Sequence, residues 1–351
     1  MRVLVTGAAG FVGFNILSYL KHNYNDIHLV GIDNLRRRGS ELNVSKIARM
    51  RIDFHHIDLK NKDELNVLQN SDIIIHCASD SSVLSGISDS SSLLLGNNLI
   101  GSINIFEHAV KCDAKLIFFS TNRVYPNHLL SNINYEIINN RFEFKLNQNI
   151  LGVSNRGISE DFPLHGSRTF YGASKICGEN LLEEYAQYRG LQYVTNRFGV
   201  ISGKGQLGVG SQGIISFWLK QHFLSKELKY IGYGGEGLQV RDALHIQDVC
   251  HLIDLQLNNF NKVDGKTFNV GGGYENSFSL KELTILCQNI TGKHIQIGNV
   301  KDDRPGDIPI YFTDNSKICS ELNWQPKFTV TDILEDINQW YKMEMDTINY
   351  F

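Results

Sequence analysis

Tyr171 and Lys175, in the run Tyr-Gly-Ala-Ser-Lys, place a phenol and an ammonium four residues apart, on one face of a helix. Such a pair can remove a proton from a hydroxyl. A tyrosine alone is too weak a base at neutral pH, because its ordinary pKa is about 10. A neighbouring cation favours the tyrosinate and lowers that value. The spacing alone also suits an ordinary surface helix pair, so the catalytic reading needs a hydroxyl partner from elsewhere. Ser120-Thr121-Asn122-Arg123-Val124-Tyr125 supplies one at the end of an apolar run. Thr121 can hydrogen-bond a reacting oxygen and align it for proton transfer; without the Tyr-Lys pair it would read as a turn cap.

The second reactive element is Thr6-Gly7-Ala8-Ala9-Gly10-Phe11-Val12-Gly13, directly after a first apolar run and opening a helical pattern. Gly7 permits a tight turn, Gly10 lets the backbone approach a pyrophosphate, and Gly13 lets helix pack closely on strand. The helix amides and macrodipole then favour phosphate charge. Asp33 stands twenty residues beyond Gly13, at the end of the second apolar run, where a carboxylate accepts bonds from ribose hydroxyls and repels a 2′-phosphate. That selects NAD over NADP. Arg36, Arg37 and Arg38 leave a second option open, either as a phosphate contact or as a solvated patch.

These residues must be positioned by alternating strands and helices. Val3–Thr6, Ile27–Ile32, Ile52–Ile57, Ile73–Cys77, Leu116–Ser120 and Gln192–Phe198 read as buried strands. Phe11–His22, Lys62–Leu68, Leu99–Lys111 and Tyr171–Arg189 read as helices between them. The expectation is an α/β fold, a Rossmann-type doubly wound parallel sheet with a smaller C-terminal substrate-binding lobe. Residues 1–200, with a contribution from about 239–262, form the NAD-binding domain, and 201–351 form mainly the second lobe. About fifty Asn-rich residues separate the run at 116–120 from Tyr171; a connection that long is often functional.

Composition narrows the classes further. A net charge of −3 over 351 residues gives no bulk attraction to nucleic acid or anionic membrane. No apolar run approaches the ~20 residues of a membrane span. The start, Met-Arg-Val-Leu-Val-Thr-Gly, lacks a signal-peptide pattern. Six cysteines without CxxC spacing read as reduced thiols, which points to the cytoplasm, and no HExxH or comparable metal cluster occurs.

Taken together, these residues resemble the extended short-chain dehydrogenase/reductases that act on nucleotide sugars, from Arg2 to beyond Trp324. The resemblance rests on Thr6–Gly13, Asp33, Asp58, His76-Cys77-Ala78, Asn98-Leu99-Ile100-Gly101, Thr121, and Tyr171 with Lys175. It implies NAD contacts from Gly7, Gly10, Phe11, Val12, Gly13, Asp33, Asn34, Arg36, Asp58 and Leu59. Further contacts are implied from Cys77, Ala78, Ser79, Asn98, Ser120, Tyr171 and Lys175. Gln239-Val240-Arg241-Asp242-Ala243-Leu244-His245 and Arg304-Pro305-Gly306-Asp307 resemble the segments that hold the substrate's diphosphate and ribose. Substrate contacts are thereby implied for Asp80, Asn122, Arg123, Asn196, Gln206, Gln212, Arg241, Arg304 and Asp307.

The residues after Thr121 discriminate among sugar reactions. Family dehydratases usually carry Asp-Glu there, and decarboxylases a nearby glutamate; Asn122 and Arg123 cannot do that proton transfer at neutral pH. Ser-Thr-Asn, a basic residue and Val-Tyr is the pattern of the CDP-paratose 2-epimerases. Ser211-Gln212-Gly213 and Asn269-Val270-Gly271-Gly272-Gly273 with Asn276–Leu280 agree with it. The resemblance implies a CDP-linked sugar oxidised transiently at C2 by tightly held NAD, and a homo-oligomer, dimer or tetramer. Arg123 in place of lysine, Pro126 in place of glycine, and an insertion at about 127–165 depart from the pattern. Within it, Asn140–Phe144 reads as a strand or lid, an oligomer contact or a neutral elaboration. The competing readings are a UDP-sugar 4-epimerase, an NAD(P)-dependent nucleotide-sugar reductase and a cofactor-sensing protein without catalysis.

Overall fold

The short Val-, Ile- and Leu-rich runs become strands in the computed structural model, which describes residues 1–87, 90–145, 147–210 and 212–344. Ser211 of the sequence motif, Leu146 of the insertion and the end of the second lobe therefore lie outside the described residues. Seven strands, β1 (Arg2–Thr6), β2 (His28–Asp33), β3 (Asp53–His56), β4 (Ile73–His76), β5 (Lys115–Thr121), β6 (Tyr193–Phe198) and β7 (Lys266–Val270), form one sheet. Its order is β7-β6-β5-β4-β1-β2-β3. β1 pairs in parallel with both β2 and β4, β2 with β3, and β4 with β5. Strand order thus reverses between β1 and β4, the place where open α/β sheets receive ligands beyond their carboxyl ends.

Three helices matter most to the site: α1 (Phe11–Asn23), α2 (Gly101–Cys112) and α3 (Phe170–Arg189). Leu4, Val30, Ile74, Ile105, Phe106, Leu116, Phe118 and Leu182 join sheet and helices in one core. The expected helix at Lys62–Leu68 is only a six-residue 3₁₀ turn, Lys62–Val67. The stretch expected to be helical from Leu99 enters through a π-helical turn, Gly96–Ile100, before α2 starts. β7 was not legible, because Lys266, Thr267 and Asn269 interrupt its apolar pattern.

The chain divides into two units of comparable length, where sequence suggested a smaller second lobe. Unit 1 is Met1–Val124, Phe170–Arg197 and Cys250–Phe268; unit 2 is Tyr125–Thr169, Phe198–Val249 and Asn269–Phe351. The long connection thus groups with unit 2, and the segment returning to unit 1 begins at Cys250 instead of about 239. Within it the expected strand at 140–144 is present as Arg141–Phe144, paired antiparallel with Tyr135–Ile138. Unit 2 also holds a three-stranded sheet of Val200–Ser202, Val240–His245 and Ser277–Ser279. Helices Ile214–Phe223, Leu280–Thr291 and Val330–Met343 pack around Ile215, Trp218, Leu219, Leu283, Ile333 and Ile337. Two of these helices start with reciprocal caps, Ser279 with Glu282 and Thr329 with Asp332. Among the described residues, no helix is long and apolar enough to cross a membrane, and no group of His, Cys, Asp and Glu is placed to hold a metal ion.

Candidate active site

The glycine loop runs from the end of β1 straight into α1. Gly7 has φ +66°, a left-handed conformation that glycine alone adopts cheaply. A Cβ on Gly13 would lie 2.2 Å from the Gly7 carbonyl oxygen, so helix and loop pack too closely for any side chain. Beside them is a cleft of about 360 Å³. Gly7, Gly10, Phe11, Val12, Gly13, Asp33, Asn34, Arg36, Asp58, Leu59, Cys77, Ala78, Ser79 and Asp80 all line it. Asp80, a substrate candidate in the sequence, lies on this cleft wall.

Asp33 is the loop's internal anchor. Its carboxylate accepts the Ala9 N–H at 3.0 Å and the Leu35 N–H at 2.8 Å. Burial raises its pKa, and these backbone bonds oppose the rise. The Gly10 N–H adds a third backbone bond to this carboxylate, and a carboxylate's four acceptor sites leave capacity for a ribose hydroxyl. The cradle without room for side chains, the helix start and this carboxylate together fit a dinucleotide. Arg37, named in the sequence only as one of three arginines near a phosphate, also lines the cleft, with Ser40, Ser81 and Asn97, which no motif marks. Arg37 is the most informative: burial lowers its pKa and the charge of Asp80 opposes that. Of the three consecutive arginines, Arg36 and Arg37 both line the cleft.

Asn98, expected at the cofactor, lies behind the wall instead. It is 1% exposed, and its amide is spent on protein partners. Its Oδ1 accepts the Asp80 N–H at 2.7 Å, and its Nδ2 donates to the Asp80 carbonyl at 2.9 Å and to Ser174 Oγ at 3.2 Å. The π-helical turn at Gly96–Ile100 includes both Asn97 and Asn98, and it is Asn97 that lines the cleft. Asn98 therefore ties the cleft wall to α3.

A buried polar chain stands behind the loop. The Ala78 N–H donates to Thr6 Oγ1 at 3.1 Å, and Thr6 Oγ1 lies 2.7 Å from His76 Nδ1. His76 Nε2 lies 2.9 Å from Ser102 Oγ, whose proton goes to the Asn98 carbonyl. With Ser102 donating onward, Nε2 must carry the imidazole proton and Nδ1 must accept from Thr6. This ordering requires a neutral ring, and burial, helped by the charge of Lys175, lowers His76 to about 3.

Tyr171 and Lys175 project from the first turns of α3, and both are almost fully buried. Lys175 Nζ donates to the Phe119 carbonyl at 2.8 Å and lies 5.0 Å from the Phe118 ring centre. Burial lowers its pKa to about 8, against the opposing effects of Cys77 and Glu179. Tyr171 departs from expectation: burial raises its pKa, and the groups that oppose the rise are a hydrogen bond with Thr121 and the charge of Arg123. The cation acting on the phenol is thus Arg123, which sequence had assigned to the substrate. Thr121 is where the sequence reading needed it, and its Oγ1 also accepts the Arg123 N–H at 3.2 Å.

Ser120 was expected to touch the cofactor, but its hydroxyl donates to Glu179. Glu179 is clamped by Arg197, with Nε 3.2 and 3.0 Å from the two carboxylate oxygens and one terminal nitrogen at 2.7 Å. Both partners are buried. The pair joins β6 to α3 one turn beyond Lys175, and Ser120 ties the end of β5 to the same carboxylate. Asn196, expected at the substrate, is fully buried in a reciprocal amide pair with Gln256, at 2.9 and 2.8 Å. Its neighbour in sequence could not reveal that the side chain faces inward from β6.

The remaining candidates belong to unit 2. One terminal nitrogen of Arg241 meets Asp307 at 2.6 Å and the Ile308 carbonyl at 2.6 Å. Arg304 donates to the Gly210 carbonyl at 3.3 Å. Gln206 bridges Ser202 and the Ile201 carbonyl, and Gln212 closes a turn with Val209 through backbone bonds. Next to Arg241, Asp242 points into the core and accepts the Gly273 and Thr313 N–H groups, each at 3.1 Å. A Cβ on Gly271 would lie 2.3 Å from that carboxylate, which accounts for part of the glycine run.

A family model described as the NAD dependent epimerase/dehydratase family matches residues 3–271. The CDP-paratose 2-epimerase of Salmonella typhi is 28% identical over 97% of this chain and 99% of its own length. The UDP-glucose 4-epimerase of Yersinia enterocolitica is 27% identical over 99% of this chain and 100% of its own. Among solved structures, the UDP-glucose 4-epimerase of Thermotoga maritima with UDP-glucose superposes with a TM-score of 0.80 at 23% identity, covering 98% of this chain and 100% of that one. The Thermus thermophilus UDP-glucose 4-epimerase in complex with NAD gives 0.77 at 24% identity, covering 97% and 99%. These two structures share the fold.

Proposed function

Because the chain belongs to the NAD dependent epimerase/dehydratase family, we propose that it inverts C2 of a CDP-linked sugar. The observation that carries this reading is the end of β5, where Thr121 is followed by Asn122 and Arg123. Neither residue can serve as the acid or base that eliminating water requires, and Arg123 instead bears electrostatically on Tyr171. The chemistry left to this centre is removal and return of one hydroxyl proton with one hydride.

In this reading Tyr171 takes the proton of the sugar hydroxyl, and Thr121 holds the reacting oxygen. Arg123 favours the phenolate as it forms, and Lys175 holds the Phe119 carbonyl one turn along the same helix. The glycine loop, Asp33, Asp58, Leu59 and Cys77–Asp80 would hold NAD, which would supply reversible hydride acceptance with no net oxidation. Arg241, Arg304 and Asp307 would engage the substrate diphosphate and its ribose. Similarity to the Salmonella typhi 2-epimerase supports the choice of base and carbon.

UDP-sugar 4-epimerisation is the second reading, favoured by the nearly equal identity to the Yersinia enterocolitica enzyme. Incubation of the chain with CDP- and UDP-hexoses in deuterated water, followed by NMR, separates the two. Inversion at C2 of the CDP-sugar without deuterium at that carbon is expected. Inversion only at C4 of UDP-sugars would refute the proposal, and deuterium at the inverted carbon would refute internal hydride return.

A further inference from the structure

The insertion that the reaction leaves without a task is a fastened hairpin of unit 2. Arg141 Nε meets Glu143 at 2.7 Å, one terminal nitrogen meets Glu282 at 3.4 Å, and the other donates to Ser277 Oγ at 2.5 Å. The guanidinium also lies 5.6 Å from the Tyr274 ring centre. Next to it, the Phe142 N–H donates to the Leu238 carbonyl at 3.0 Å. That bond attaches the hairpin to the loop between strands Leu228–Ile231 and Val240–His245, which carries Tyr233 and leads into Arg241.

Three aromatic rings run across this attachment. Tyr135 and Phe142 have centroids 4.5 Å apart. Phe142 meets Tyr233 edge-on, at 5.8 Å and 79°. Phe142 is buried, while Tyr135 and Tyr233 are half-buried, so the phenylalanine backs two tyrosines that keep accessible surface. Tyr233 has φ +50°, unfavourable for a bulky L-residue. Its N–H donates to Asp303 Oδ1 at 2.6 Å, one residue before Arg304. Arg241, Asp307 and Asp303 all act electrostatically on its phenol. Tyr233 is thus a strained tyrosine anchored by Asp303, packed on Phe142 and within electrostatic reach of Arg241.

We propose that Tyr233, backed by Phe142 and Tyr135 of the hairpin, stacks the pyrimidine of the nucleotide whose diphosphate engages Arg241 and Arg304. The inference rests on the nucleotide-sugar reading above. A planar base offers a π-face to such a wall whatever its edge substituents. The wall therefore supplies affinity for the base, and the insertion becomes part of the substrate site instead of a surface elaboration.

Calorimetric titration of the full chain with CDP, UDP and inorganic pyrophosphate tests this. Tyr233→Ala is expected to weaken CDP about tenfold and Tyr135→Ala by a smaller factor, with Tyr233→Phe close to the unaltered chain. Pyrophosphate and NAD affinities should stay unchanged in all three variants, which also reports intact folding. CDP affinity within twofold of the unaltered chain in both alanine variants overturns the inference alone. An equal loss of pyrophosphate affinity also overturns it, because the tyrosine would then only be supporting the arginine loop. If the unaltered chain binds neither CDP nor UDP, the nucleotide-sugar reading falls and this inference falls with it.

Discussion

Lys175 in unit 1 is buried with its ammonium on a backbone carbonyl, whereas Arg241 in unit 2 keeps its guanidinium on the carboxylate of Asp307. The first arrangement changes the group itself: burial disfavours its charge and brings its pKa down to about 8. The second pairs the guanidinium with a partly exposed carboxylate at 2.6 Å. Unit 1 thus shifts the chemistry of a buried group, and unit 2 holds its arginine in a partly exposed ion pair.

Removing the tuned phenol is the severest way to break this contrast. Tyr171→Phe should lower turnover by about 10²–10⁴-fold while leaving thermal stability and NAD affinity unchanged; steady-state kinetics with calorimetry checks this, and near-normal turnover would remove Tyr171 from the role of base.

The second test asks whether burial really perturbs Lys175. Between pH 8 and its ordinary value of 10.5, the folded chain has already released this proton while the unfolded chain still holds it. Stability should therefore rise with pH across that window through this group, by up to about 3 kcal/mol. Chemical denaturation of the chain and of Lys175→Met over this pH range should show the increment only in the unaltered chain. Parallel profiles would mean that the ammonium is not perturbed.

The mildest effect belongs to unit 2. Arg304→Ala removes one charge-assisted contact and should weaken CDP by about tenfold, with NAD affinity and the Tyr171 environment untouched. A titration in which NAD weakens as much as CDP would blur the division of labour between the units.

Much of unit 1 was legible in the sequence because its cues are local. The Gly7–Gly13 loop, Asp33, Thr121 and the Tyr171–Lys175 pair are each set by position relative to a strand end or a helix start, and strand periodicity marks those places. Ser120, Asn98 and Asn196 were misplaced for one common reason: each has a polar partner far along the chain, in Glu179, Asp80 and Gln256. β7 was missed for the complementary reason, since a strand inside a formed sheet needs little apolar content of its own.

The sequence by itself determined the order of strands and helices, the glycine cradle and the identity of the groups that can move a proton or hold a phosphate. Only the tertiary structure decided which of those groups face the cleft. It turned Asn97 and Arg37 into the wall and spent Asn98 behind it. It made burial outweigh the Thr121 hydrogen bond and the charge of Arg123 on the Tyr171 phenol. The physical reason is that hydrogen-bond partners and desolvation depend on distances through space, and spacing along the chain fixes those only within a single helix, strand or turn.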